Sequence, residues 1–113
     1  MQSDLQPKDP LSQVVFVHDY LQLMFPDCAF TLYNVATYKS ETLVLRQHQS
    51  GFCDALVALI NQSAVVEFRS GILTLNFPGG ASVSVKNTGQ DARGPEAWQF
   101  GRLGDPQVVE QNA

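Results

Sequence analysis

The chain has 113 residues, of which 44% are hydrophobic and 16% are charged, and acidic residues outnumber basic ones by eleven to seven. This length predicts one domain with one hydrophobic core. The net charge of −4 argues against a general affinity for nucleic-acid phosphates. No apolar stretch is long enough to cross a bilayer, and residues 1–10 lack the features of a signal peptide, so we expect a cytoplasmic protein.

The first half of the chain predicts a β-meander, a further strand and a helix. Alternating apolar residues separated by short turns indicate the strands, and a polar loop at 36–41 precedes the last of them. Phe52, Leu56, Leu59 and Ile60 recur at the spacing of an amphipathic helix. The predicted elements are strands at 13–17, 20–25, 29–34 and 42–46 and a main helix at 52–60.

The second half predicts a similar order with a different ending. Strands are expected at 64–68, 72–77 and 81–86, followed by turn-forming residues at 87–94. Residues 95–100 predict a short helix, because Pro95 suits the first helical position and Glu96 the first turn. We expect the segment 104–113 to be a mobile tail and residues 1–11 to be a flexible N-terminal segment.

Two hairpins in these halves have nearly the same sequence. Leu21-Gln-Leu-Met-Phe-Pro26 matches Leu73-Thr-Leu-Asn-Phe-Pro78, and in both the Leu and Phe side chains fall on one face of the strand. Unrelated hairpins converge on short patterns of this kind, so duplication and convergence both stay open. The sequence therefore predicts an α+β domain over 12–103, mostly antiparallel β, with two repeated β-meanders (about 13–61 and 64–101) forming a sheet or an open barrel.

The opposite faces of the two hairpins differ in character. The second hairpin carries the polar set Thr74, Asn76, Ser84 and Lys86, which suits contact with water. The first carries a more apolar and aromatic set: Tyr20, Gln22, Met24, Thr31 and Tyr33. Either the main helix covers this set or the domain wraps around it, or the set is an interface with a protein partner or a second copy of the chain.

Residues with catalytic or metal-binding chemistry are few. His18-Asp19 is the one adjacent imidazole and carboxylate, and a hairpin turn accounts for it. Cys28 and Cys53 are expected to be reduced thiols, and with the two histidines they lack the short spacing of a structural zinc site. We therefore predict no catalytic residue, no metal site and no cofactor, and a protein that is not an enzyme.

Three segments resemble small bacterial α+β proteins of unknown function, some of them of toxin-immunity type. They are the helix Gly51-Phe-Cys-Asp-Ala-Leu-Val-Ala-Leu-Ile60, the hairpin Leu73-Thr-Leu-Asn-Phe-Pro-Gly-Gly80 and Gly94-Pro-Glu-Ala-Trp98. The resemblance spans most of residues 13–100 and carries no functional residue. It implies a bacterial protein-binding module, in its most specific form an immunity-type inhibitor that covers a toxin's active site. The alternative is a small-ligand-binding β domain.

Overall fold

The computed structural model describes residues 4–113, which form ten strands, one α-helix and two single turns of 3₁₀ helix. Helix α1 spans Phe52–Val57, and the 3₁₀ turns lie at Pro78–Gly80 and Gly89–Asp91. The strands are β1 (Gln13–Phe16), β2 (Leu21–Met24), β3 (Cys28–Leu32), β4 (Ala36–Lys39), β5 (Val44–Arg46), β6 (Val65–Arg69), β7 (Ile72–Asn76), β8 (Ser82–Lys86), β9 (Glu96–Arg102) and β10 (Val108–Gln111).

The strands form two five-stranded sheets in which the paired strands are antiparallel. Sheet A has the order β1-β2-β3-β9-β10, and sheet B has the order β5-β4-β8-β7-β6. The prediction of a mostly antiparallel β protein with one α-helix is confirmed. The expected single sheet or open barrel is replaced by two sheets that share one core.

The connections between the sheets explain why each contains strands from both halves of the chain. Strands β1 to β3 form a meander in sheet A, but the hairpin β4–β5 that follows pairs with β8 in sheet B. Strands β6 to β8 form a meander in sheet B, but the hairpin β9–β10 that follows pairs with β3 in sheet A. Each half therefore supplies two strands to the sheet begun by the other half.

The core lies between the two sheets and is filled by the faces that the sequence assigns to it. Leu21 and Leu23 from sheet A and Leu73 and Leu75 from sheet B have no exposed surface. Rings meet across the sheets where Phe68 packs edge-on against Trp98, with 5.3 Å between their centroids. Helix α1 contributes Phe52 and Leu56, and Leu59 in the turn after it is also buried.

The predicted short helix at 95–100 is wrong, because these residues lie in strand β9. Trp98 and Phe100 alternate into the core, where they pair with Leu32 and Phe30 of β3. This burial outweighs the weak helix-start signal of a Pro followed by a Glu.

The predicted loop at 36–41 is also wrong over most of its length, because Ala36–Lys39 form β4. This strand pairs with β8. Because β8 lies far along the chain, the pairing cannot be recognised from the local sequence at 36–39. The strand expected at 42–46 is the shorter β5, and the helix expected at 52–60 ends at Val57.

Both ends of the described chain are packed more closely than expected. The tail predicted at 104–113 contains β10, whose Val108–Gln111 pair with β9. In the segment predicted to be flexible, Leu5 and Leu11 are buried, and the Gln6 side chain donates to the Ala64 carbonyl and accepts from the Val66 amide. Residues 1–3 of that segment lie outside the described residues.

Candidate protein-binding surface

The five predicted interface residues lie together on the outer face of sheet A. Strand register places Gln22 opposite Thr31. The rings of Tyr20 and Tyr33 are 6.0 Å apart at one end of the face. Four of the five are partly exposed, and Thr31, enclosed by its neighbours, is 9% exposed. The sequence-based hypothesis thus identified one continuous patch.

The structure adds residues of β1, β3, β9 and β10 to this patch. By strand register they point away from the core next to the predicted residues. Those of β9 and β10 were missed because the sequence placed β9 in a helix and β10 in a tail. We call the combined set the neutral face, because every member is uncharged. It comprises Gln13, Val15, Tyr20, Gln22, Met24, Ala29, Thr31, Tyr33, Gln99, Gly101 and Val109.

Polar groups on the neutral face bond to one another. The Gln22 side-chain amide donates to the Thr31 hydroxyl at 3.2 Å, and the Tyr33 hydroxyl donates to Gln99 Oε1 at 3.4 Å. Burial raises the pKa of the Tyr33 phenol, and the nearby Glu96 carboxylate raises it further. These two pairs would keep their hydrogen bonds if another protein surface covered the face.

The outer face of sheet B differs in charge. Register places five charged residues on it among Thr, Ser and Asn side chains: Lys39, Arg46, Glu67, Arg69 and Lys86. The contrast is not one of apolar content, because Val44 and Val65 are also exposed there. Sheet B therefore presents an ordinary solvated surface, and the neutral face is the unusual one.

Helix α1 does not cover the neutral face. It lies against β1 and β4 and buries Phe52 and Leu56 in the core between the sheets. Gln22 and Met24, on the strand next to the central strand of sheet A, stay partly exposed. The explanation in which the helix packs over this surface is wrong, and the interface stays a prediction.

Charged residues gather around a cleft of about 320 Å³ at the Tyr33 end of the face. The cleft is lined by Asp19, Arg93 and Glu96 together with Tyr33. The Arg93 guanidinium lies 2.8 Å from His48 Nε2 and also donates to the Asp19 carbonyl. Acidic and basic groups thus alternate around the cleft, and its guanidinium is already engaged by protein atoms.

The His18-Asp19 pair lies at the tip of the β1–β2 turn. The His18 ring nitrogen is 3.5 Å from the Asp19 carboxylate, and the two side chains are 96% and 83% exposed. Val17 and Tyr20 exchange backbone hydrogen bonds on either side, as expected for a hairpin turn. The pair occupies the solvated turn that the sequence predicts.

A second cleft, of about 440 Å³, lies between the N-terminal segment and the β9–β10 hairpin. Its lining includes Lys8, Phe100 and Arg102. The Arg102 guanidinium is paired with Asp27 and also donates to the Gln6 carbonyl. This cation therefore ties the N-terminal segment to the sheet and is not available to a ligand.

Both cysteines are free thiols with different environments. Cys28 is buried, and burial, with a further contribution from the Asp27 charge, raises the pKa of its thiol to about 12. Cys53 is exposed. Among residues 4–113, no group of three or more His, Cys, Asp and Glu side chains is arranged to hold a metal ion.

This difference predicts selective alkylation of the folded protein. With iodoacetamide at pH 8, Cys53 should react readily and Cys28 at least ~100-fold more slowly, because reaction requires the exposed thiolate. Mass spectrometry of the intact protein should show one added group in buffer and two in 6 M urea. Rapid double labelling of the folded chain would contradict the burial of Cys28.

No helix within residues 4–113 has both the length and the apolar character needed to span a membrane. Comparison with known proteins gave no match to this chain among protein-family models, curated protein sequences or solved structures.

Proposed function

We propose that this protein is a non-enzymatic protein-binding module and that the neutral face of sheet A is its binding surface. The observation that carries the proposal is that the outer face of sheet A, apart from Glu96 at its Tyr33 end, carries no charged side chain, whereas the outer face of sheet B carries five. Interface centres are depleted of charged residues and enriched in Tyr and Met, which are the features of this face.

The equivalence of the faces supports an internal duplication, which we include in the proposal. Gln13 pairs with Met24 in sheet A, and Val65 pairs with Asn76 in sheet B. Val65 follows Gln13 along the chain by the same number of residues as Asn76 follows Met24. The hairpins that cross to the other sheet also occupy equivalent places. Hairpin β9–β10 extends sheet A beyond β3, and hairpin β4–β5 extends sheet B beyond β8. Each position on one outer face then has a counterpart on the other.

Each charged residue on the outer face of sheet B has an uncharged counterpart on sheet A. A two-sheet fold of this type evidently accepts charge at these positions, so the fold itself does not require a neutral surface. The pairs are Lys39 and Gly101, Arg46 and Val109, Glu67 and Val15, Arg69 and Val17, and Lys86 and Tyr33.

The most specific form of the proposal is an immunity-type inhibitor that covers the active site of a toxin. The resemblance of Gly94-Pro-Glu-Ala-Trp98 and the Leu73 hairpin to small bacterial proteins of unknown function, some of which are of toxin-immunity type, supports it. A gene for a large polymorphic toxin next to the gene for this chain would strengthen this form, and co-purification of the two products would test it directly.

Site-specific photo-crosslinking tests the binding surface. A benzoylphenylalanine at Gln22 should give a covalent protein adduct in extracts of the source organism, because this position is central to the neutral face. The matched control is the same label at Thr74, the counterpart of Gln22 on sheet B, which should give none. Equal labelling at both positions, or none at Gln22, would overturn the proposal.

A further inference from the structure

We infer that the protein bound on the neutral face is a second copy of this chain, held face to face in a two-fold symmetric dimer. This inference rests on the proposed function and names the partner of that same surface. Three properties of the neutral face support it: its charge, its shape and its size.

Charge favours a second copy over a charged foreign partner. The chain has a net charge of −4, so two copies repel each other unless their contact surfaces bring no like charges together. The neutral face meets this condition, because a surface without charge is compatible with itself. A basic or acidic partner would gain no complementary charges from the side chains that form this face.

Shape favours packing against another sheet. Ala29 and Gly101 pair side by side near the middle of the face, and they form a low centre. Met24 lies on the β2 side of this centre and Val109 on the β10 side. A two-fold axis parallel to the strands would place the Met24 side of each copy over the Val109 side of its partner, at the separation of about 10 Å that packed sheets adopt.

Size predicts a dimer of moderate affinity. Five strands spaced by about 4.8 Å, with about five residues each, give a face of roughly 24 by 17 Å before side-chain relief. Two such faces bury on the order of 1,000 Å² in total, which is at the lower limit for a specific interface. We therefore expect dissociation in the micromolar range, so that monomer and dimer are both observed between about 1 and 200 μM.

Sedimentation equilibrium of charge variants tests the inference. The wild-type mass should rise toward twice the chain mass of 12.4 kDa as concentration increases. The variant Gln22→Lys/Met24→Lys should stay monomeric, with association weakened at least 100-fold, because each change would bury an unpaired charge in both halves of a symmetric interface. The matched control Thr74→Lys/Asn76→Lys, at the counterpart positions on sheet B, should associate like wild type. Circular dichroism should show all of these proteins folded.

A mixing experiment identifies the second copy as the occupant. Met24→Lys and Val109→Glu, whose positions face each other across this two-fold axis, should each be monomeric on their own, and an equimolar mixture should form a heterodimer in which the two introduced charges pair. A wild-type chain that stays monomeric at 200 μM would overturn the inference, and so would a Lys or a Glu variant that dimerises on its own.

Should the charge variants fail to fold, the crosslinker at Gln22 in otherwise wild-type protein decides. An adduct of twice the chain mass supports the dimer, and an adduct of another mass overturns it while preserving the proposed function. The absence of any adduct overturns both.

Discussion

Replacing Leu23 or Leu75 with Ala is expected to lower the free energy of unfolding by about 2–5 kcal/mol. Both side chains are fully buried, one on the inner face of each sheet. Removing either side chain leaves a cavity that the opposite sheet cannot fill without moving its strands. Since the two positions are counterparts in the fold, we expect similar losses at both, measured by urea denaturation with a common m-value.

The controls are the neighbouring outward residues. Gln22→Ala and Thr74→Ala should change the free energy of unfolding by no more than about 0.5 kcal/mol, because both side chains are partly exposed. The urea series should be measured at a concentration low enough to keep the chain monomeric, so that lost association does not add to the effect at Gln22. A loss at Gln22 as large as that at Leu23 would mean that the faces of β2 are assigned the wrong way round.

The inner faces of the two meanders could be predicted because alternation is a local signal. In Leu21-Gln-Leu-Met the apolar side chains recur at every second residue, and one side of the strand must then be buried. The strand that pairs with each hairpin could not be predicted in this way. Nothing in residues 36–39 indicates that they pair with β8, because register with a distant strand depends on the whole fold.

The neutral face was predicted in part for the same reason. Its five predicted residues belong to β2 and β3 and the residues beside them, where local alternation assigns the faces. Gln99, Gly101 and Val109 belong to strands that local signals assigned to a helix and a tail. The alternation of Trp98 and Phe100 was a signal for β9, but Pro95 and Glu96 gave a competing signal for a helix start.

Asn34 is the residue whose importance the sequence revealed least. It has no exposed surface, and it lies where the chain leaves sheet A for sheet B. Its side-chain amide donates to the Lys86 carbonyl at 2.7 Å and to Asn112 Oδ1 at 2.6 Å. Its oxygen accepts from the Arg93 amide at 3.2 Å. One side chain thus joins the ends of both meanders to the C-terminal strand segment.

Asn34→Leu should therefore lower the free energy of unfolding by about 2–4 kcal/mol, because the Lys86 carbonyl and the Arg93 amide lose their partner in a buried place. The matched control is Asn87→Ala, at the counterpart position. Its amide bonds to the Glu110 carboxylate in a partly exposed site, so we expect a loss of no more than about 1 kcal/mol. Urea denaturation of both variants beside wild type measures the difference.

Asn34→Asp separates hydrogen bonding from packing at the same site, since the two side chains have nearly the same shape. The carboxylate can accept from Arg93 but cannot donate to the Lys86 carbonyl, and burial should raise its pKa in the folded state. A raised folded-state pKa means that stability is retained at low pH and lost as pH rises. Relative to wild type, the variant should be less stable at pH 7.5 than at pH 4.5. A deficit that does not change with pH would show that the amide donor at position 34 contributes little, and that Asn34 acts through packing alone.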